Sequence, residues 1–94
     1  MEKVLWWLIG GTRGGKNRLR IIKKLRDEPM NANQLSEELD LDYKTIRHHL
    51  DALEENKIIT SIGDGYGKNY FLSDWMEDNI ESLKKITREA DMDG

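Results

Sequence analysis

Tyr43, Lys44, Thr45, Arg47 and His48 bring five hydrogen-bonding side chains within six positions near the middle of the chain. At about 100° per residue on a helix, Lys44, Arg47 and His48 share one face with Asp51. Tyr43 and Thr45 then lie at the N-terminal end of that helix. An arginine fork matches O6 and N7 of guanine, and a histidine can bond a base edge. A second set is purely cationic. Residues 12–26 carry Arg13, Lys16, Arg18, Arg20, Lys23, Lys24 and Arg26 and no acid. Such a block is suited to phosphates, with Arg13, Lys16, Arg18 and Arg20 as the candidate contacts. It is equally readable as a solvated helix face. Tyr66 and Lys68 form a third set, in a glycine-rich segment. They could meet a minor groove or a phosphate; Tyr66 could equally fold back on its own hairpin.

Other chemistry has less support. Residues 10–16 fit G-x-x-x-x-G-K, the start of a phosphate-binding loop, between an apolar run and a helix. Asn17 stands where a magnesium-binding Ser or Thr is needed, and no later apolar strand ends in a metal-holding Asp. The glycines could instead clasp a DNA phosphate through backbone N–H groups, or only let the chain turn. His48 and His49 are adjacent, so on a helix they diverge by about 100° and cannot share a metal. His49 borders the apolar stripe and reads as packed or phosphate-contacting. No nucleophile–base pair is evident, and there are no cysteines. Catalytic residues, metal and cofactor are therefore all expected to be none, and no effector is indicated.

The elements that would hold these groups are legible. Residues 16–27 predict a helix ended by Pro29, with Leu19, Ile22 and Leu25 facing the core. Asn31 predicts a cap, with Gln34 completing a capping box, for a short helix carrying Leu35 and Leu39. Asp42 caps the next helix, expected over residues 43–56, whose Ile46, Leu50 and Leu53 form a buried stripe. The short helix, three-residue turn and second helix make a helix-turn-helix, and residues 43–56 are its candidate recognition helix. Residues 58–62 are rich in β-branched side chains, residues 63–67 hold three glycines, and residues 68–72 read as a return strand. A hairpin over residues 58–72 directly after the recognition helix is a wing. The glycine-rich tip is expected to hold no regular structure.

Two flanking elements remain. Residues 4–9 are an apolar run, Val4-Leu5-Trp6-Trp7-Leu8-Ile9, readable as strand or helix. A C-terminal helix is expected over residues 74–90, with Glu77 in a capping box and an apolar stripe of Trp75, Met76, Ile80, Leu83 and Ile86. That stripe either covers its own domain or forms a dimer contact. The dimer is preferred, because the two flanks offer more apolar surface than a small helix-turn-helix can bury. Residues 91–94 are expected to fray.

With 94 residues, the chain allows one small domain, here taken as residues 1–94 with a winged core over 16–72. The expected class is mainly α with a small β-hairpin. Net charge is −3, a weak argument against nucleic acid, but the cations are concentrated in one block. No signal peptide or membrane span is visible, so a cytoplasmic location is expected.

The run LDYKTIRHHLDALEENKIITSIGDGYGKNYFLS resembles archaeal winged-helix transcriptional regulators close to the ArsR group. Thr45, Ile46, His49, Leu50, Leu53, Ile58 and Ile59 match that family's recognition-helix pattern. Arg47 and His48 stand where Ser and Arg are usual, and Lys57 where Gly is usual. LWWLIGGTRGGKNRLRIIKKL resembles the N-terminal part of the archaeal group, so the likeness covers residues 4–72. It implies sequence-specific binding of double-stranded DNA, as a homodimer, by a transcriptional regulator. Cysteine-based metal sensing, known in the ArsR group, does not carry over. The alternative is a winged-helix module that binds another protein without specific DNA recognition, as the acidic C-terminal helix and net charge suggest. Salt-sensitive DNA binding separates the two.

Overall fold

The computed structural model describes residues 1–90, without the side chain of Tyr66. The fraying expected at 91–94 and the contact expected of the Tyr66 ring lie outside the described residues. Helix α1 spans Glu2–Gly10 and α2 spans Gly15–Asp27. Strand β1 is Met30–Asn31, followed by α3, Ala32–Leu39, and α4, Tyr43–Glu55. Strands β2, Ile59–Ile62, and β3, Asn69–Leu72, form the hairpin. Helices α5, Asp74–Asp78, and α6, Ile80–Glu89, complete the described chain. This is a winged helix-turn-helix, mostly helical with a small antiparallel sheet.

The helix starts follow from local hydrogen bonding. Gln34 N–H donates to Asn31 Oδ1 at 2.8 Å, and Asn31 N–H donates to Gln34 Oε1 at 2.9 Å, so the capping box forms. Asp42 accepts from Thr45 N–H at 3.0 Å and caps α4. These side chains satisfy donors that a helix start leaves without a partner. The turn between α3 and α4 closes through Asp40, in the left-handed region at φ 53°. After α4, Lys57 also has positive φ, 63°. A residue there is disfavoured unless it is glycine, which gives a physical reason for the glycine usual at this position in the family pattern.

Three elements differ from the sequence reading. The sheet has three strands in the order β1-β3-β2, with Met30 opposite Tyr70 and Asn31 opposite Asn69. Asn31 thus ends a strand and caps a helix, and only the second role was legible. The wing tip is not wholly irregular, because Gly65–Gly67 makes one 3-10 turn. Gly63 and Gly65 take φ of 97° and 54° on either side of Asp64, as a tight reversal requires. The C-terminal helix breaks at Asn79, whose Nδ2 donates to the Trp75 carbonyl at 2.8 Å. Ser73, not Asp74, caps α5, which puts Met76 rather than Glu77 at the third helical position. The expected capping box is therefore not made.

The apolar run 4–9 is helical. Leu5, Leu8 and Ile9 are buried, and α1 packs on both α2 and α6. Met76, Leu83 and Ile86 are buried in the same core, so most of the C-terminal stripe is covered within the chain. Trp6 and Trp7 remain 38% and 60% exposed. The corner between α1 and α2 is tight. A Cβ on Gly15 would lie 1.7 Å from the carbonyl oxygen of Ile9. Alanine would gain about 1 kcal/mol of helix propensity but would force these backbones apart. Gly15→Ala should lower stability by a net of about 1–3 kcal/mol. An unchanged urea midpoint would show that the corner yields without cost.

Candidate nucleic-acid interface

Helix α4 turns Ile46, His49, Leu50 and Leu53 inward. That leaves Lys44 and His48 exposed on the opposite side, with Tyr43, Thr45 and Arg47 half-buried. Thr45 is partly committed: its Oγ1 donates to Asp42 Oδ2 at 2.7 Å. These bonds from Thr45 lower the Asp42 pKa from its ordinary value. The Thr45 hydroxyl therefore offers lone pairs rather than its proton to a ligand.

Arg47 does not point straight outward as the helical projection implied. Its Nη1 donates to the Tyr70 hydroxyl at 3.2 Å, and its Nη2 lies 3.8 Å from Asp51. Both contacts are long and the side chain remains one-third exposed, so they hold the fork loosely beside the wing. Burial raises the Tyr70 pKa, with Arg47 and Lys68 acting against the rise. The phenol stays protonated and can both donate and accept.

Lys68 is likewise drawn inward. It pairs with Glu54 at 3.4 Å and lies 5.6 Å from the Tyr70 ring centroid. Glu54 also accepts from the Ser61 hydroxyl. One carboxylate of α4 therefore holds a residue of β2 and the residue just before β3. Arg47, Asp51 and Glu54 recur at helical spacing, so one face of α4 is given to bracing the wing. Tyr43, Arg47, Gly65 and Lys68 line a shared cleft between the helix start and the wing tip. Ile62, at the end of β2, is the large apolar side chain most exposed there.

The basic block divides. Arg13 and Lys16 are exposed, on the α1–α2 loop and the first turn of α2. Arg18 is only 8% exposed. It donates through Nη1 to the Leu8 carbonyl at 2.9 Å and to Thr12 Oγ1 at 2.6 Å. Arg20 donates to the Leu39 carbonyl at 2.8 Å and to Asn17 Oδ1 at 3.1 Å, which ties α2 to α3. The structure thus gives Arg18, which is buried, and Arg20 bonds within the chain where the charge pattern suggests phosphate contacts, and it does not bring Arg18 to the surface with Arg13 and Lys16. Lys24 is paired with Glu38 at 3.1 Å. Charge density along the sequence could not separate these roles, because helical rotation sends neighbouring cations to different partners.

His49 is 6% exposed, and its Nδ1 has no hydrogen-bond partner among the described residues. A Cβ on Gly14 would lie 2.8 Å from its Cε1 and 3.3 Å from the Arg18 guanidinium. The α1–α2 loop thus rests against the inner side of α4. The loop follows a helix, not a strand, so the strand–loop–helix context of a nucleotide-binding loop is missing. Gly15 serves close packing instead. Among the described residues, no three His, Cys, Asp or Glu side chains gather as a metal site would require. No helix among them is long and apolar enough to cross a membrane.

Residues 15–61 match the family model described as bacterial regulatory protein, arsR family. The chain belongs to this family. Its fold is that of an ArsR-family transcriptional regulator. Among solved structures it is similar to the transcriptional regulator HlyU from Vibrio vulnificus CMCP6. That match has 21% identity and a TM-score of 0.67, covering 89% of this chain and 86% of that one. It is also similar to HlyU from Vibrio cholerae N16961, at 22% identity and TM-score 0.68, covering 90% of both chains. The reduced form of that protein matches at the same identity and TM-score. At these identities the likeness establishes the fold. No curated protein sequence matches the chain.

Burial, then the charges of Arg18 and His48, push the His49 pKa below its ordinary value. The folded state therefore favours neutral His49, while the unfolded chain takes up a proton more readily. The stability this contributes is complete above about pH 6.5 and is lost as pH falls from there toward the folded pKa. The melting temperature should drop between about pH 7.5 and about pH 5.5, and the drop should be smaller in His49→Gln. An equal drop in both proteins would assign the acid sensitivity to other groups.

Proposed function

We propose that this chain is a sequence-specific double-stranded DNA-binding regulator that acts as a homodimer in the cytoplasm. The N-terminal half of α4 would enter the major groove, with the wing on the backbone or minor groove. One observation carries the reading. The exposed Lys44 and His48 project from a helix whose wing is braced to it by Glu54 and Arg47. A wing held against its helix is what groove reading needs, because base edges are recognised to within hydrogen-bond tolerance.

In this reading Tyr43, Lys44, Thr45, Arg47 and His48 meet bases or nearby phosphates. Arg13 and Lys16 contact the backbone beside them. Arg18 positions the loop, and Arg20 reaches phosphate only by leaving the Leu39 carbonyl. Lys68 and Tyr66 belong to the wing contact. The single domain assigned to residues 1–94 would bind as one unit with its copy. The archaeal branch rests on the resemblance of residues 4–72 alone. No catalytic role is proposed.

Neutralising Arg13 and Lys16 together, to Gln, should weaken binding of all duplexes alike. The log–log salt slope should fall by about 1 to 2. Arg47→Ala should instead cost about 1–3 kcal/mol at a preferred site and flatten selectivity on a randomised duplex library. An unchanged salt slope in the first variant, with unchanged selectivity in the second, would leave the protein-binding alternative in place.

The homodimer now rests on α1. Leu83 lies in the chain's own core, so an acid there would unfold the domain rather than report assembly. Trp7 is the most exposed side chain of the apolar flank, ahead of Trp6. Two copies would set their recognition helices about 34 Å apart on a pseudo-palindrome. Trp7→Glu should yield a folded monomer by sedimentation, with intact helical circular dichroism. A wild type that sediments as a monomer at tens of micromolar would remove the dimer.

A further inference from the structure

Helix α6 rests mainly on α1, and its seam with α2 is left open as a groove of about 510 Å³. That volume falls within the range of small-molecule sites, about 300–1,000 Å³. The two walls repeat one pattern. On α2, Leu19, Ile22, Lys23 and Arg26 share a face at steps of three, one and three. On α6, Ile80, Leu83, Lys84 and Arg88 do the same at steps of three, one and four. Each wall thus supplies two aliphatic and two cationic side chains. Thr87 completes the lining, and among the described residues no carboxylate takes part in it.

The cations are poorly compensated. Lys23, Arg26 and Arg88 form no ion pair among the described residues, and Lys84 meets Glu81 only in an exposed pair at 3.4 Å. Four like charges around one apolar floor repel one another. An anion seated among them would relieve that repulsion. Leu19, Ile22 and Leu83 are already buried, so the apolar surface an attached tail would cover is half-buried Ile80 and the aliphatic stems of the cations. A bare phosphate would leave that surface wet, and a neutral hydrocarbon would leave the cations unmatched.

We propose that this groove binds a small amphipathic carboxylate, its apolar chain against Ile80 and the aliphatic stems of Lys23, Arg26, Lys84 and Arg88 and its head among their four charges. Helix α2 also packs on α3, α4 and β3. A ligand between α2 and α6 would bear on the helix that supports the recognition helix. That regulatory consequence rests on the DNA-binding reading, whereas the binding site does not.

The test uses the intact chain and three probes: sodium octanoate, 1-octanol and octyltrimethylammonium. Methyl NMR should show octanoate shifting Ile80 and Thr87, the half-buried methyl-bearing residues of the groove. Calorimetry should give octanoate about tenfold tighter binding than 1-octanol, with the ammonium weakest. Arg26→Gln combined with Arg88→Gln replaces two exposed side chains. It should bring octanoate to the level of 1-octanol with the melting temperature unchanged. Equal binding of octanoate and 1-octanol would overturn the proposal. So would methyl shifts absent from the groove, or gathered instead around Trp6 and Trp7. Intermolecular NOEs from a second copy onto the groove methyls would assign it to self-association and overturn it as well.

Discussion

The Arg18 guanidinium holds together the corner on which the rest of the molecule is built. It is buried with no carboxylate partner among the described residues, and its compensation comes from the end of α1. The last turn of that helix carries no basic residue of its own. Arg18 donates to the Leu8 carbonyl there and to Thr12 Oγ1, which itself donates to the same carbonyl at 3.1 Å. A helix C-terminus presents carbonyls without partners and a partial negative charge, so a cation is favoured at that position. Gly15 lets α2 approach closely enough to make the contact, and Gly14 leaves room for His49 of α4 beside it. Three helices are thereby fixed at one point. The position of the recognition helix depends on α1, an element outside the helix-turn-helix itself.

The other side of α4 is fixed by polar contacts rather than burial alone. Glu54 gathers Ser61 and Lys68, and Arg47 reaches Tyr70, so the wing moves with the helix. Such partly exposed ion pairs contribute little stability individually. Their value lies in orientation, since they set where the wing tip stands relative to Lys44 and His48. Arg47 and Lys68 then have two sets of partners, internal ones now and phosphates or bases in the proposed complex. The long internal distances make that exchange inexpensive.

Much of this architecture was legible because it depends on local rules. The Asn31–Gln34 box, the Asp42 cap and the stripe of Ile46, Leu50 and Leu53 are set by spacing within one or two turns. The hairpin followed from a β-branched-rich run and an aromatic-bearing return run on either side of the glycines. What could not be read depends on contacts distant in sequence. Strand β1 exists only because Tyr70 and Asn69 supply its partners. The helical state of residues 4–9 is settled by packing on α2 and α6. Arg18 was indistinguishable from Arg13 and Lys16 until the end of α1 was in place. At position 57 the sequence shows only a lysine where the family pattern has glycine, and the structure shows the positive φ that Lys57 has to accept there.

Family membership and the braced helix–wing pair lead to one central claim: DNA meets the start of α4, the wing tip and the α1–α2 loop together. Backbone amide shifts of ¹⁵N-labelled protein, followed while duplex DNA is added at low salt, test this most directly. The account predicts shifts concentrated at residues 12–17, 43–48 and 62–68, with α1 before residue 10 and α6 largely unaffected. Shifts confined to α1 and α6, or none at DNA concentrations where binding is measured, would contradict it.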